Sequence, residues 1–307
     1  MSENQTSAET WTVLRLLQWT TDFFSKHGSD SPRLDAEILL AHARQCSRIE
    51  LYTAFEQEPD AEQRAAFREL VRRRGEGTPV ALLVGYKEFY SLRFRVNEHT
   101  LIPRPETEHL VIEALDCAKL LQGKSLQAAS GDNRGAPLQV ADIGTGSGAI
   151  AVSFAVHCPS AKLSAVDISE PALEIARWNA DQHEVADRVD FVVSDLLESI
   201  DPSQQFDLIL SNPPYVSESE FAELDRTVRD FEPKTALVSG PAGTETIERL
   251  IDQARGRLKS GGRLIIELSP MIADACVKIA EQFEEYGQTR FVKDLAGHRR
   301  VLSIERR

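Results

Sequence analysis

The sequence predicts an α/β protein, a doubly wound and mainly parallel sheet with helices on both faces, preceded by a small all-helical module. Three observations point there. From Leu138 onward, short apolar runs of strand length alternate with helix-length segments, the pattern of a parallel sheet with crossover helices. Before about Gly77, apolar residues recur at helical spacing only. Between the two regions the period drops to two, with Leu92, Phe94 and Val96 alternating with Arg93 and Arg95. At a prior of roughly 150 residues per domain, 307 residues make two domains. The expected division is a helical domain at 1–80, a hairpin linker at 81–104 and a sheet domain at 105–307.

Residues 1–8 read as frayed. Val13, Leu16, Leu17, Thr20, Phe23 and Phe24 then form one apolar stripe of a first helix. Ser31 followed by Pro32 is a helix start, and Leu34, Ile38 and Ala41 mark the helix it opens. Asp60 with Gln63 three residues later has the form of a capping box for a helix reaching Arg74, which Gly75 and Gly77 end. Lys87–Tyr90 and the alternating run after it make a β-hairpin, and a helix spans about Glu106 to Leu121. Residues 123–137 are polar and Gly-rich without periodicity and are expected to be a flexible loop. The expected strands are Leu138–Ile143, Lys162–Asp167, Val189–Val193, Phe206–Ser211 and Arg263–Leu268. Helices are expected near 147–157, 171–182, 243–259 and 270–287, with a terminal strand pair at 289–294 and 299–305.

Composition narrows the function. Lys and Arg number 35 against 48 Asp and Glu, a formal net charge of -13. Such a chain is repelled by a phosphate backbone, which counts against general nucleic-acid or anionic-membrane binding. No apolar run of about 18 residues occurs, so no transmembrane helix is expected. The start, MSENQTSAET, lacks the basic and apolar regions of a secretory signal. Cys46, Cys117, Cys158 and Cys276 show no CxxC spacing and read as reduced thiols in a cytoplasmic protein. The seven histidines form no HxxxH or HExxH pair, so no metal site is expected.

Four motifs carry chemistry. Asp142-Ile143-Gly144-Thr145-Gly146-Ser147-Gly148 follows an apolar strand and opens a helix. Its glycines let backbone approach a ligand, and the helix start adds free N–H groups. By itself this turn serves NAD, FAD, a nucleotide or S-adenosylmethionine equally well, or is only a tight turn. Asp167, at the tip of the next strand, can accept both hydroxyls of a ribose, which leaves NAD and S-adenosylmethionine open; its plainer reading is a helix cap. Asp195 follows the third strand, where a carboxylate can take an adenine N–H, or be an exposed loop acid; Leu196 beside it can pack on the adenine face. Ser211-Asn212-Pro213-Pro214-Tyr215 follows the fourth strand. Two prolines stiffen the loop. The Asn212 carboxamide and Pro213 carbonyl then act as hydrogen-bond acceptors, and Tyr215 offers a flat face. Such a site grips a planar –NH2 group.

Taken in order, DIGTGSG, Asp167 and NPPY resemble the class I S-adenosylmethionine-dependent methyltransferases that modify planar amino groups. A narrower resemblance lies in GYKEFYSLRFRVNEHTLIPRPETE, Gly85 to Glu108, and in RDFEPKTALVSGPAGTETIERL after NPPY. Both are similar to the signatures of the release-factor glutamine methyltransferases, the HemK/PrmC family, over residues 10 to 305. Two departures stand out: the 123–137 loop is longer than usual, and Leu196 stands where some members carry an aromatic residue. The resemblance implies a Rossmann-like seven-stranded methyltransferase sheet and S-adenosyl-L-methionine as cofactor. It implies that Gly144, Thr145, Gly146, Ser147 and Gly148 wrap the methionine part, that Asp167 binds ribose, and that Asp195 and Leu196 flank adenine, with Asn212 also at the cofactor. Asn212, Pro213, Pro214 and Tyr215 would bind the substrate amide, with Asn212, Pro213 and Tyr215 the catalytic set. Pro103 to Thr107 would pack close by, or serve only as a hinge.

The implied reaction is methylation of the N5 amide of the glutamine in the Gly-Gly-Gln motif of class 1 peptide chain release factors. The helical domain would dock that protein, and the enzyme is expected to be a monomer. The runner-up is an N-methyltransferase of a nucleic-acid exocyclic amine, such as adenine N6, because the same grip suits it. Against it stand the net charge and the lack of a basic, aromatic-studded target domain. Arg72, Arg73 and Arg74 are the one strong basic run and read as a solvated helix end. A non-catalytic S-adenosylmethionine sensor or an NAD-binding module is opposed by the intact NPPY.

Overall fold

The computed structural model describes residues 10–128 and 136–307. The chain forms two compact units, 1–85 and 86–307.

The first unit is helical. Helix α1, Val13–Lys26, starts where Thr12 Oγ1 accepts from the Arg15 amide. Helix α2, Pro32–Arg44, has Pro32 at its first turn and ends on Gln45 in the left-handed conformation. Helix α3, Arg48–Thr53, opens with a capping box between Ser47 and Glu50, and is too short to show a period in the sequence. In α4, Ala61–Gly75, both bonds of the Asp60–Gln63 capping box are present, as expected. Helix α5, Val80–Val84, completes the unit. Leu17, Phe24, Leu39, Leu40, Phe67 and Val71 lie in its core. The arginine run is only partly a solvated end: Arg72 pairs with Glu69 and Glu76 at the surface, but Arg74 makes a largely buried ion pair with Asp35 on α2.

The second unit begins with β1, Tyr86–Phe89, and β2, Leu92–Arg95, paired antiparallel. Tyr90 and Ser91 between them both have positive φ, the conformation a two-residue hairpin turn needs to match the strand twist. Phe89 and Phe94 are buried in the core of this unit. A 3-10 turn at Pro105–Thr107 leads into α6, Glu108–Ala128. The expected loop from 123 is therefore helical as far as Ala128. Lys124, Leu126, Gln127 and Ala128 are strong helix formers and outweigh the cost of about 1 kcal/mol for Gly123. Residues 129–135 of that expected loop lie outside the described residues.

The sheet then builds through β3, Gln139–Ile143; α7, Ala149–His157; β4, Lys162–Asp167; α8, Glu170–Gln182; β5, Val189–Val193; and β6, Phe206–Ser211. A short pair, β7 (Val216–Ser217) and β8 (Val238–Gly240), encloses α9 (Glu218–Glu223), α10 (Arg226–Arg229) and α11 (Lys234–Leu237). The sequence pattern predicts none of these five pieces, since each is too short to carry a period. The chain ends with α12 (Glu245–Arg255), β9 (Leu258–Glu267), α13 (Ala273–Ala280), β10 (Tyr286–Lys293) and β11 (Arg299–Arg306). Strand β9 starts earlier than expected, with Leu258 paired to Phe206 and a register shift before Arg263 pairs with Leu208; a Cβ added at Gly262 within it would be 2.9 Å from the Asp207 carbonyl oxygen. The expected helix at 270–287 is shorter because residues from Tyr286 pair with β11.

The seven-stranded sheet has the order β10-β11-β9-β6-β3-β4-β5. Strands β5, β4, β3, β6 and β9 run parallel, and β11 and β10 add antiparallel pairs at one edge. One core packs α6, α7 and the hairpin on one face of the sheet; the other packs α12 and α13 on the opposite face. The strand order reverses between β3 and β6, which is where open α/β sheets bind ligands, beyond the carboxyl ends of the strands.

Asn179 on α8 ties the hairpin to that end. It is fully buried, accepts from the Arg95 amide at 2.8 Å, and donates to the Arg95 and Ser147 carbonyls at 3.0 and 2.8 Å. Asn179→Leu would strand these groups, each costing about 1–3 kcal/mol when buried and unpaired. The expected result is a loss of about 2–5 kcal/mol in urea unfolding.

Candidate active site

Residues Gly144 to Gly148 leave β3 and enter α7 as a turn built on three positive-φ glycines. Two backbone bonds anchor it, from the Gly144 and Thr145 amides to the Val166 carbonyl at 2.8 and 2.9 Å. The glycines differ in purpose. A Cβ on Gly148 would meet Ala176 and Val152 at 3.2–3.3 Å, so this one lets α8 pack close. A Cβ on Gly144 or Gly146 would meet nothing within 4 Å, so the space above them is open to a ligand.

Two carboxylates line this turn. Asp167, at the end of β4, accepts from the Gly146 amide at 2.8 Å and the Ser169 amide at 2.9 Å. Burial pushes its carboxyl above the ordinary range, and these amide donors act the other way. Asp142, on β3, is wholly buried; its Oδ2 accepts from Thr145 Oγ1 at 2.7 Å and the Ala151 amide at 3.0 Å, while Oδ1 has no partner. Burial lifts its carboxyl to about 7. An unpartnered buried carboxylate oxygen beside an open glycine cradle fits a ligand carrying positive charge, such as S-adenosylmethionine. The sequence motif begins with Asp142 but assigns it no role, because in sequence it is only a polar residue near the end of a strand.

A raised carboxyl favours the protonated folded state. Its stabilising contribution is complete below the unfolded value near 4 and is lost as pH rises to about 7. Asp142→Asn carries no such dependence. The difference in Tm between Asp142→Asn and the parent, in the absence of ligand, is expected to grow in the variant's favour from pH 4.5 to 7 and then level off. A pH-independent difference, measured by circular dichroism melts, would show that Asp142 does not titrate there.

Asp195 follows β5 and is half-exposed, its Oδ2 held by Arg249 of α12 at 2.7 Å. Leu196 beside it is buried in the α12–α13 core and takes a positive φ. The pair thus sits at the end of β5, next to Asp167 on the neighbouring strand, with most of the leucine committed to packing.

Asn212 to Tyr215 leave the end of β6. Ser211 pairs with Ile143 on one side and Ile266 on the other, and its Oγ donates to the Ile143 carbonyl at 2.7 Å. This register sets Asn212 beside Gly144 and beside Glu267. The Asn212 Nδ2 donates to Thr107 Oγ1 at 3.2 Å, which turns its Oδ1 away as a free-standing acceptor. Asn212, Pro213 and Tyr215 line a cavity of 190 Å³, together with Leu101, Arg104 and residues of β7, α10 and α11. Tyr215 is largely buried, and its hydroxyl is pushed up to about 12, first by burial and then by the Glu267 carboxylate.

The far wall is held by Glu232. This buried residue accepts from the Ile102 amide at 3.1 Å and pairs with Arg104 at 2.5 Å, so it clamps the segment before α6 to the segment after α10. Glu232 lies in the stretch RDFEPKTALVSG, but nothing local assigns it a partner 128 residues away. Among the described residues there is no cluster of three or more His, Cys, Asp or Glu side chains able to hold a metal, and no helix long and apolar enough to cross a membrane.

Comparison with known proteins agrees with this architecture. Residues 15–85 match the family model of the PrmC N-terminal domain, and residues 118–230 match the methyltransferase small domain. The catalytic domain of hMettl16, solved in complex with MAT2A 3′UTR hairpin 6, superposes with a TM-score of 0.53 over 76% of this chain and 81% of its own, at 16% identity, a likeness of fold. The Rossmann-like fold and the methyltransferase domain match define an S-adenosylmethionine-dependent methyltransferase. The chain is also 59% identical to the release factor glutamine methyltransferase of Rhodopirellula baltica, over 98% of this chain and 99% of the relative. It is 42% identical to that of Koribacter versatilis, over 89% and 90%. The chain belongs to the family of release factor glutamine methyltransferases.

Proposed function

We propose that this enzyme methylates the N5 amide nitrogen of the glutamine in the Gly-Gly-Gln motif of class 1 peptide chain release factors. The observation that carries the reading is the Asn212 carboxamide. With its amino group engaged by Thr107, its oxygen is left to accept a hydrogen from a planar amine in the cavity. The Pro213 carbonyl takes the second hydrogen, and Tyr215 lies against the amide plane. Gly144 to Gly148 hold the methionine part of the cofactor, Asp167 its ribose, and Asp195 with the exposed edge of Leu196 its adenine.

An amide nitrogen is a poor nucleophile because its lone pair is delocalised into the carbonyl. S-adenosylmethionine supplies an activated methyl on a sulfonium. The chain's own part is to hold N5 in line with that methyl and to stabilise the positive charge that develops on nitrogen, through acceptors already aimed at its hydrogens; one of those hydrogens then leaves to solvent as a proton, so that the product is a neutral N-methyl amide and the methyl donor leaves as a thioether. The two prolines keep those acceptors from relaxing between turnovers. A single glutamine is too small to explain selectivity, so docking of the release factor falls to the helical unit. That unit carries an open apolar groove lined by Trp11, Trp19, Phe23 and Phe67, a surface of the kind that takes a protein partner. The reaction belongs to the cytoplasm, where release factors work, and the enzyme acts as a monomer.

The test is incubation of purified release factor with enzyme and methyl-labelled S-adenosylmethionine, with the product mapped by mass spectrometry. One added methyl on the motif glutamine is expected. Preferential labelling of DNA or RNA would instead support an exocyclic-amine methyltransferase.

A further inference from the structure

One buried acid near the site has no part in binding the cofactor or gripping the amide. Glu267 ends β9 and is 2% exposed, and its Oε2 has no hydrogen-bond partner. The Ser211–Ile266 register brings the end of β9 alongside Asn212. The Thr107 hydroxyl, on a residue itself 4% exposed, lies close enough to the carboxylate to favour its ionised form against burial. Thr107 in turn receives the Asn212 Nδ2 hydrogen. Three side chains from three separate segments therefore form one buried line, Asn212 to Thr107 to Glu267.

We propose that Glu267 is a positioning residue: through Thr107 it fixes which way the Asn212 carboxamide faces. The number of hydrogens available sets the direction of each bond. A threonine hydroxyl has one hydrogen to give and two lone pairs to receive with, and an ionised carboxylate can only receive. With Glu267 behind it, the Thr107 hydrogen is committed to the carboxylate, and only the lone pairs face Asn212. The amino end of the carboxamide must then point at Thr107, and the oxygen must point into the cavity. Without the carboxylate, the hydroxyl is free to rotate and donate to the Asn212 oxygen. The carboxamide would turn over and present N–H groups to a substrate that also presents N–H groups. The effect of Glu267 on the amide grip is to remove the wrong rotamer. Burial pushes the Glu267 carboxyl up to about 7, against the Thr107 hydrogen bond that favours its ionised form, so the comparison below is made at about pH 8.5, where the acid is ionised.

This inference rests on the reading of Asn212 as the acceptor of the substrate amide, so the test includes that residue. Four variants are compared for kcat, KM for release factor, and the dissociation constant for S-adenosylmethionine: Thr107→Val, Thr107→Ser, Glu267→Gln and Asn212→Ala. Thr107→Val keeps the shape and removes the hydroxyl, and is expected to lower kcat about tenfold or more while cofactor affinity stays within about twofold. Thr107→Ser restores most of the rate because it restores the hydroxyl. Glu267→Gln, which can donate as well as accept, lowers kcat several-fold with the same unchanged cofactor affinity. If Asn212→Ala is inactive while Thr107→Val or Glu267→Gln turns over at the parent rate, the line has no positioning role. If Thr107→Ser is as slow as Thr107→Val, the hydroxyl is not the operative group and the proposal is wrong. Should Thr107→Val fail to fold, the serine and glutamine variants decide the matter. Full activity of Asn212→Ala would overturn the acceptor reading itself.

Discussion

Asn212→Ala is expected to lower kcat by about 10²–10³ while changing the affinity for S-adenosylmethionine by no more than a few-fold. The expectation follows from where the side chain points. Its amino group is spent on Thr107 at 3.2 Å, and the residue lines the cavity with its oxygen free of that bond. Removing it deletes an acceptor held in place before the substrate arrives, and such acceptors act mainly on the charge that develops in the transition state. The fold has little to lose, because Ser211, one residue earlier, makes the bond that secures this end of β6. Single-turnover rates with release factor and calorimetric titration of the cofactor separate the two effects. A near-normal rate would mean that the amide is gripped by something else.

Asp167→Ala should weaken S-adenosylmethionine binding on the order of tenfold to a hundredfold or more, the loss of charge-assisted hydrogen bonds worth roughly 1.5–3 kcal/mol. The structure adds a second route to the same loss. Asp167 also receives the Gly146 amide at 2.8 Å, so its removal loosens the turn that carries the open cradle. Stability is pulled in both directions: the Gly146 and Ser169 amides lose an acceptor, while a carboxyl pushed up by burial is no longer present. A modest change in Tm alongside a large change in affinity is therefore expected. Unchanged affinity by isothermal titration would take Asp167 out of the site.

Much of this arrangement is legible in the amino-acid sequence. The parallel strands are readable because each is a short, nearly continuous apolar run bounded by turn residues. The glycine turn, Asp167 and Asn212 are readable because each sits directly after such a run. At a strand's carboxyl end, neighbours in space are all close to their own strands in sequence. What is not legible fails for identifiable reasons. The elements between 216 and 240 are too short for periodicity, though they supply part of the cavity wall. Helix α6 outruns its expected end because a glycine within good helix formers looks like a stop. Leu196 is expected from its position to offer its face to adenine, but an apolar side chain that suits both the core and a ligand cannot announce how much of it the core will take.

By itself the sequence determined what depends on local order: the alternation of elements, the residue types at each strand tip, the acidic balance that disfavours a phosphate backbone, and the motifs shared with the release factor glutamine methyltransferases. Tertiary structure alone decided the pairings that cross the chain. Glu232 meets Arg104 at a separation of 128 residues, Asn212 meets Thr107 at 105, and Asn179 meets Arg95 at 84. Buried polar groups must find partners, but their chemistry names only the kind of partner and never the position. The position is set by strand register, and register is the outcome of packing the whole sheet against its two helical layers. That is why Glu267, an ordinary acid at the end of a strand in sequence, acquires its place behind Asn212 only when β6 and β9 lie side by side.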